Sequence, residues 1–198
     1  MARHAAFDRQ ETLQKALRLF WAKGYQGTSL KDLEKALDLR PGSIYAAFGS
    51  KEELFCEALR AYSEAARRNF EETVARGGTT LSGLAAHIRG IGRPAGDDAP
   101  ARACMLVKTL LETPDEDPKL RRLAEDMMRA MEGVFKDAFH TAREAGELPA
   151  DADPERLAWR LQADIFGLRT YAQRTDAADR VPYLADDIAR GIEALRVN

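Results

Sequence analysis

Apolar residues fall along this chain at spacings of three and four, and that pattern predicts helix nearly throughout. Leu13, Ala16, Leu17, Phe20 and Trp21 mark a first helix over about 9–23, closed by Lys23 in a cationic last turn and by Gly24. Gly27-Thr28-Ser29 then supplies a turn and a hydroxyl N-cap. Leu30, Leu33, Ala36 and Leu37 put apolar groups on one face of a short second helix. Residues 38–40 form a turn, Pro41 suits the first position of a third helix, and Ile44, Ala47 and Phe48 point inward from it. Ser50-Lys51-Glu52-Glu53 reads as a capping box in which the Ser50 hydroxyl and the Glu53 carboxylate each take an orphan amide. It opens a long helix over about 51–76, with Phe55, Leu59, Tyr62, Ala66, Phe70 and Val74 along one side and Gly77-Gly78 at its end.

Beyond it the pattern stays helical. Leu81, Leu84, Ala85, Ile88 and Ile91 predict a helix over about 80–92, followed by a Gly-, Pro- and Asp-rich loop through Pro100. "ARACMLVKTLLE" is a compact apolar helix ending before Pro114. A long amphipathic helix over about 118–145 stops at Gly146, a capped one covers about 154–173, and Pro182 opens a last one to about 196. The fold class is all-α, with about nine helices.

Two short helices joined by a tight turn and buttressed by a preceding helix make a tri-helical helix-turn-helix unit, whose second short helix enters the DNA major groove. Such a helix must be braced on one side and polar on the other. Arg40, Gly42, Ser43, Tyr45 and Ala46 fall on the side away from Ile44, Ala47 and Phe48. Glycine and serine at its start let the backbone approach phosphates, and helix N-termini offer amides to them. Thr28 and Ser29 do the same at the second helix, and Lys51 sits at the next N-terminus. Two of these residues have plainer readings: Tyr45 packs its ring on the preceding helix, or Lys51 is a surface lysine in a place the helix dipole does not favour.

Charge and composition refine this picture. The net charge is −2, yet residues 1–50 carry eight Lys/Arg against five Asp/Glu and residues 51–198 carry 22 against 27, a basic head on an acidic body. With 198 residues and 45% hydrophobic content, the chain suits one ordinary domain or two small ones. Cys56 and Cys104 fit no CxxC pair, and His4, His87 and His140 are too scattered to suggest a metal site, so no cofactor or metal is expected. No apolar run approaches about 18 residues, which predicts neither signal peptide nor membrane span and makes a reducing cytoplasm the default location.

The run "GYQGTSLKDLEKALDLRPGSIYAAFGSKEELF", residues 24–55, resembles the DNA-binding domain of the TetR/AcrR family of bacterial transcriptional regulators. The resemblance implies a homodimer that binds an inverted-repeat operator in double-stranded DNA. It also implies a head over 1–50, with the fourth helix linking from 51, and a ligand-binding and dimerisation domain over 51–198. It carries DNA contact onto Thr28, Ser29, Arg40, Gly42, Ser43, Tyr45 and Lys51. The pair Ala46-Ala47 departs from the polar or histidine-containing pair common in the family, which places base readout on Ser43, Tyr45 and Arg40.

In the body, the last two helices are apolar over a wide arc, which suits a dimer interface through Leu161, Ile165, Gly167, Leu168, Leu184, Ile188, Gly191, Ile192 and Leu195; alternatively these complete the core of one protomer. Methionines and aromatics adapt to apolar ligands, so an effector pocket is expected among Tyr62, Phe70, Ile88, Cys104, Met105, Met127, Met131, Phe135, Phe139, Trp159 and Phe166, unless they are plain core. The expected effector is small and largely apolar or aromatic. Cys104 near Arg102 resembles a cysteine-bearing segment of several family members, and admits a thiol-based sensing alternative beside an inert buried cysteine. No nucleophile, paired carboxylates or strand-borne glycine loop supports an enzyme; "GIGRPAG" lies in a proline-containing loop. A helical interaction scaffold that binds no DNA accounts for the helices but not for the capped, basic head.

Overall fold

The computed structural model describes residues 8–93, 103–113 and 118–197, and nine α-helices run through them. They are α1 (Arg9–Lys23), α2 (Leu30–Leu37), α3 (Pro41–Phe48), α4 (Lys51–Ala75), α5 (Thr80–Gly92), α6 (Met105–Glu112), α7 (Pro118–Glu144), α8 (Pro154–Tyr171) and α9 (Val181–Glu193). The boundaries follow local chemistry. The Asp8 carboxylate accepts from the amides of Gln10 and Glu11 at α1, and Ser29 and Asp32 cap α2 reciprocally. Asp153 does for α8 what Asp8 does for α1. Between α2 and α3 the chain turns through Asp38 at φ 53°, a left-handed position that Asp tolerates better than most side chains.

Three expectations are corrected. At α4 the Ser50 hydroxyl accepts from the Glu53 amide, but the return half of the box is absent, because the Ser50 amide donates instead to the Phe48 carbonyl. The apolar helix expected from residue 101 begins at Met105; Ala101, Arg102 and the loop over 94–100 lie outside the described residues, as does His4. The last helix ends at Glu193 rather than near 196.

Two apolar clusters hold the helices together. The lower one joins α1, α2, α3 and the first part of α4 to Cys104, Met105 and Leu106 at the start of α6 and to Leu120, Ala124 and Met127 of α7. At its centre Phe55 meets Phe20 edge-on at 5.0 Å and Tyr25 at 5.0 Å. The upper cluster joins Phe70 of α4 to α5, the second half of α7, α8 and α9. There α5 and α4 cross closely at Gly83, where a Cβ would stand 2.5 Å from the Val74 carbonyl oxygen, so only glycine permits the approach. The first turn of α5 is capped from afar by Glu147, whose carboxylate takes the Thr80 and Leu81 amides at 2.8 and 2.9 Å.

Candidate nucleic-acid interface and effector cavity

The third helix has the two-sided character that groove insertion requires. Ile44 and Phe48 are buried in the lower cluster, while Arg40, Gly42, Ser43, Tyr45 and Ala46 are exposed on one side. Tyr45 is 42% exposed, so its ring is not packed away. Gly42 has open space where a Cβ would be, which leaves its backbone approachable. Arg9 of α1 lies over the Phe48 ring at 4.7 Å and pairs with Glu57 of α4 at 2.7 Å, fastening the end of α3 to the long helices.

The remaining head residues are placed differently from one another. Thr28 is fully buried, and its hydroxyl donates to the Gly24 carbonyl at 2.6 Å, so it shapes the turn into α2 and is not offered to phosphate; its assignment as a DNA contact is corrected. Ser29 is exposed, with its hydroxyl donating to Asp32 at 2.6 Å. Bonds from Lys23 and Ser29 hold the Asp32 carboxyl well below the usual carboxylate range. Lys51 is half-buried with its Nζ 4.4 Å from the centre of the Tyr25 ring, and that burial pulls its pKa down.

Above the lower cluster a cavity of about 610 Å3, its open mouth included, lies between α4, α5, α6, α7 and α8. Tyr62, Cys104, Met131, Phe135 and Phe166 line it as expected. The other six do not. Phe70 and Ile88 are buried in the upper cluster, Met105 and Met127 are buried in the lower one, Phe139 lines a smaller cleft against α8 and α9, and Trp159 is 52% exposed on α8. In their place the cavity wall recruits Ser63, Ala66, Asn69, His87, Ile91, Leu106, Met128, Gln162, Ile165 and Arg169. The available signal for two of these was polarity within an apolar stripe, His87 between Leu84 and Ile88, and Arg169 beside Leu168.

The polar groups of this wall are tuned by their surroundings. Burial first, and the Arg169 charge second, push the His87 imidazole down to about 4, so it is neutral at neutral pH. Burial, with the Cys104 thiol in hydrogen-bonding contact, raises the Tyr62 hydroxyl above its ordinary value. The far edge of Tyr62 meets Trp21 of α1, ring centres 5.1 Å apart, and the Trp21 indole donates to the Ala103 carbonyl at 2.7 Å. Lys108 of α6 donates to the Ala22 carbonyl at 2.9 Å. The cavity wall is thus in direct contact with the first helix of the head.

On the outer face of α8 and α9, Gly167, Leu184 and Gly191 are exposed, with Ile188 and Leu195 partly so. Leu161, Ile165, Leu168 and Ile192 are buried inside the chain's own upper cluster, which corrects their assignment to a dimer interface. Among the described residues of these helices, Trp159, Tyr183 and Leu184, 52%, 75% and 37% exposed, are the large apolar groups left uncovered.

A braced helix-turn-helix head in contact with a cavity-bearing helical body defines a ligand-gated DNA-binding protein. Comparison with known proteins agrees. Residues 13–58 match the family described as bacterial regulatory proteins, tetR family, and residues 80–185 match the tetracyclin repressor-like C-terminal domain. The chain belongs to the TetR family of bacterial transcriptional regulators. It is 29% identical over 191 residues to the HTH-type transcriptional repressor ComR of Escherichia coli, covering 95% of this chain and 90% of ComR. It is also 29% identical over 182 residues to the HTH-type regulator YezE of Bacillus subtilis, covering 91% and 94%. Among solved structures, a cysteine mutant of the TetR-family regulator CifR, complexed with 26-bp operator DNA, superposes with a TM-score of 0.85 at 32% identity over 96% of this chain and 98% of that one. Among the described residues no helix is long and apolar enough to cross a membrane.

Proposed function

We propose that this chain is a cytoplasmic, non-enzymatic repressor that binds an inverted-repeat operator as a homodimer and releases it when a small effector enters the cavity. The observation that carries this reading is α3, buried on Ile44 and Phe48 and free on Arg40, Ser43 and Tyr45. Arg40, Ser43 and Tyr45 read the groove, while Gly42, Ser29 and Lys51 approach the phosphates. Two α3 helices enter successive major grooves only when they stand about 34–36 Å apart. The dimer forms through the outer faces of α8 and α9 around Gly167, Leu184 and Gly191. An effector pressed against Tyr62 displaces Trp21 and with it α1, to which the lower cluster ties α3. The effector shifts the equilibrium by its differential affinity for the two spacings.

A second reading is favoured by the place of Cys104, in the cavity wall and in contact with the Tyr62 hydroxyl. Alkylation of its sulfur by an electrophile would put a group into the same space and press the same Tyr62–Trp21 contact. Reaction of the protein with iodoacetamide, followed by mass and operator affinity together, tests this; an adduct that leaves affinity unchanged rules it out.

The primary reading is tested by selection from a randomised duplex pool with the full-length protein across salt concentrations. One enriched inverted repeat, with affinity falling linearly in the logarithm of salt, is the expected result. No enrichment at any salt, with or without bound effector, would leave a helical scaffold.

A further inference from the structure

The cavity carries an electrostatic imbalance. Arg169 is the cation of its described lining, and no Asp or Glu shares that lining. Arg169 makes no hydrogen bond or ion pair within the described residues, whereas Arg160, Arg174 and Arg190 nearby each meet a carboxylate. Asp164, on the same helix, is engaged with Arg160 instead. A half-buried guanidinium without a counter-ion is costly, since it loses hydration and gains no partner. Around Arg169 lie Met128, Met131, Phe135, Ile165 and Phe166.

We infer that the effector is a small organic monoanion, a carboxylate on a compact apolar or aromatic body, with Arg169 pairing its charged group. The inference rests on the cavity being the effector site. One guanidinium presents a fork that matches a carboxylate. A phosphate ester, with close to two negative charges, would ask for a second cation that the described lining does not hold. His87, neutral, can hydrogen-bond the same carboxylate without adding charge. The methionine and aromatic wall accepts the apolar remainder.

The test uses pairs of probes that differ only in charge: phenylacetate against phenylacetamide and octanoate against octanamide, with thermal stabilisation and calorimetric affinity measured on the full-length protein and on Arg169→Gln and Arg169→Lys. At least one acid is expected to stabilise the wild type and to bind at least tenfold more tightly than its amide. Arg169→Gln should erase that preference, Arg169→Lys should keep part of it, and the amides should bind all three proteins alike. Equal binding of acid and amide, acid binding unchanged in Arg169→Gln, or no stabilisation by either acid would each overturn the inference. Operator affinity of the same proteins without probe is read separately. Its absence in the wild type counts against the repressor reading whatever the probes do, and its retention in Arg169→Gln shows that a lost acid preference is not a lost fold.

Discussion

The two apolar clusters divide the molecule differently from its two family domains. The lower cluster takes in the head, the first three turns of α4, the start of α6 and the first half of α7; the upper takes in Phe70 of α4, α5, the second half of α7, α8 and α9. Among the described residues Phe166 is the side chain that packs against both, and it lines the cavity. The cavity therefore sits at the seam between two well-packed bodies. A seam can be widened without emptying either core, which is what an effector site needs if binding is to move the head without melting it. The difference also says that the head is braced by residues well beyond position 50.

The largest break in this arrangement should come from Phe55→Ala. Phe55 is 1% exposed and holds Phe20 and Tyr25, so its loss should cost about 3–5 kcal/mol. Although it belongs to α4, the head should unfold with it. Trp21 lies in the lower part and Trp159 is exposed on α8, so a Trp159→Phe background leaves Trp21 fluorescence to report on the head. Its denaturation midpoint should fall with Phe55→Ala; a midpoint that stays put would make residues 1–50 an independent unit.

Function can be removed from the lower body without touching its packing. Ser43 is exposed at the third position of α3, where a carboxylate is favoured by the helix dipole, so Ser43→Asp should fold at least as well as the wild type. Against phosphates the same charge is repelled, and operator affinity should fall on the order of a hundredfold, about 2.7 kcal/mol. Unchanged affinity would move the DNA contact away from α3.

How far the residues announced all this depends on the range over which each feature is decided. The helices and the head were legible because caps and periodicity act within four residues: Ser29, Pro41 and Ser50 mark starts wherever the rest of the chain lies. Thr28 misled because a hydroxyl before a helix looks the same whether it faces solvent or bonds Gly24. The cavity was half legible. A stripe at helical spacing says that a residue faces inward, but whether it meets a neighbour, as Phe70 meets Phe135 at 4.9 Å, or a void, as Phe166 does, is decided by helices that are distant in sequence. His87 and Arg169 are illegible for the same reason, since a polar residue in an apolar stripe reads alike whether it lines a void or is satisfied by a neighbour.

The upper body should be the acid-sensitive one. His87 is buried against Phe70, ring centres 5.1 Å apart, with its pKa pushed down from 6.5 to about 4. The unfolded chain then binds a proton that the folded one refuses, so this stability is complete above about pH 6.5 and is lost as pH falls toward 4. At pH 4.5 the loss should be about 2–3 kcal/mol. His87→Phe should flatten the slope between pH 6.5 and 4.5 in denaturant titrations, and an unaltered slope would mean that His87 is protonated without penalty.

Glu147 offers a smaller effect in a separate pH window. Burial pushes its pKa up, but the amides of Leu81 and Thr80 outweigh burial and the net shift is downward. The stabilisation is therefore full above the ordinary carboxylate value of 4.5 and disappears as pH falls below it. Glu147→Gln keeps the shape and one acceptor but gives up the charge at the α5 N-terminus, and should cost about 1–2 kcal/mol at pH 7. Because the wild type loses the same charge on acidification, the gap between the two proteins should close below the carboxylate range, while the His87→Phe difference has already developed at higher pH. If the gap persists in acid, the carboxylate's value is geometric, and the first turn of α5 is held by position and not by charge.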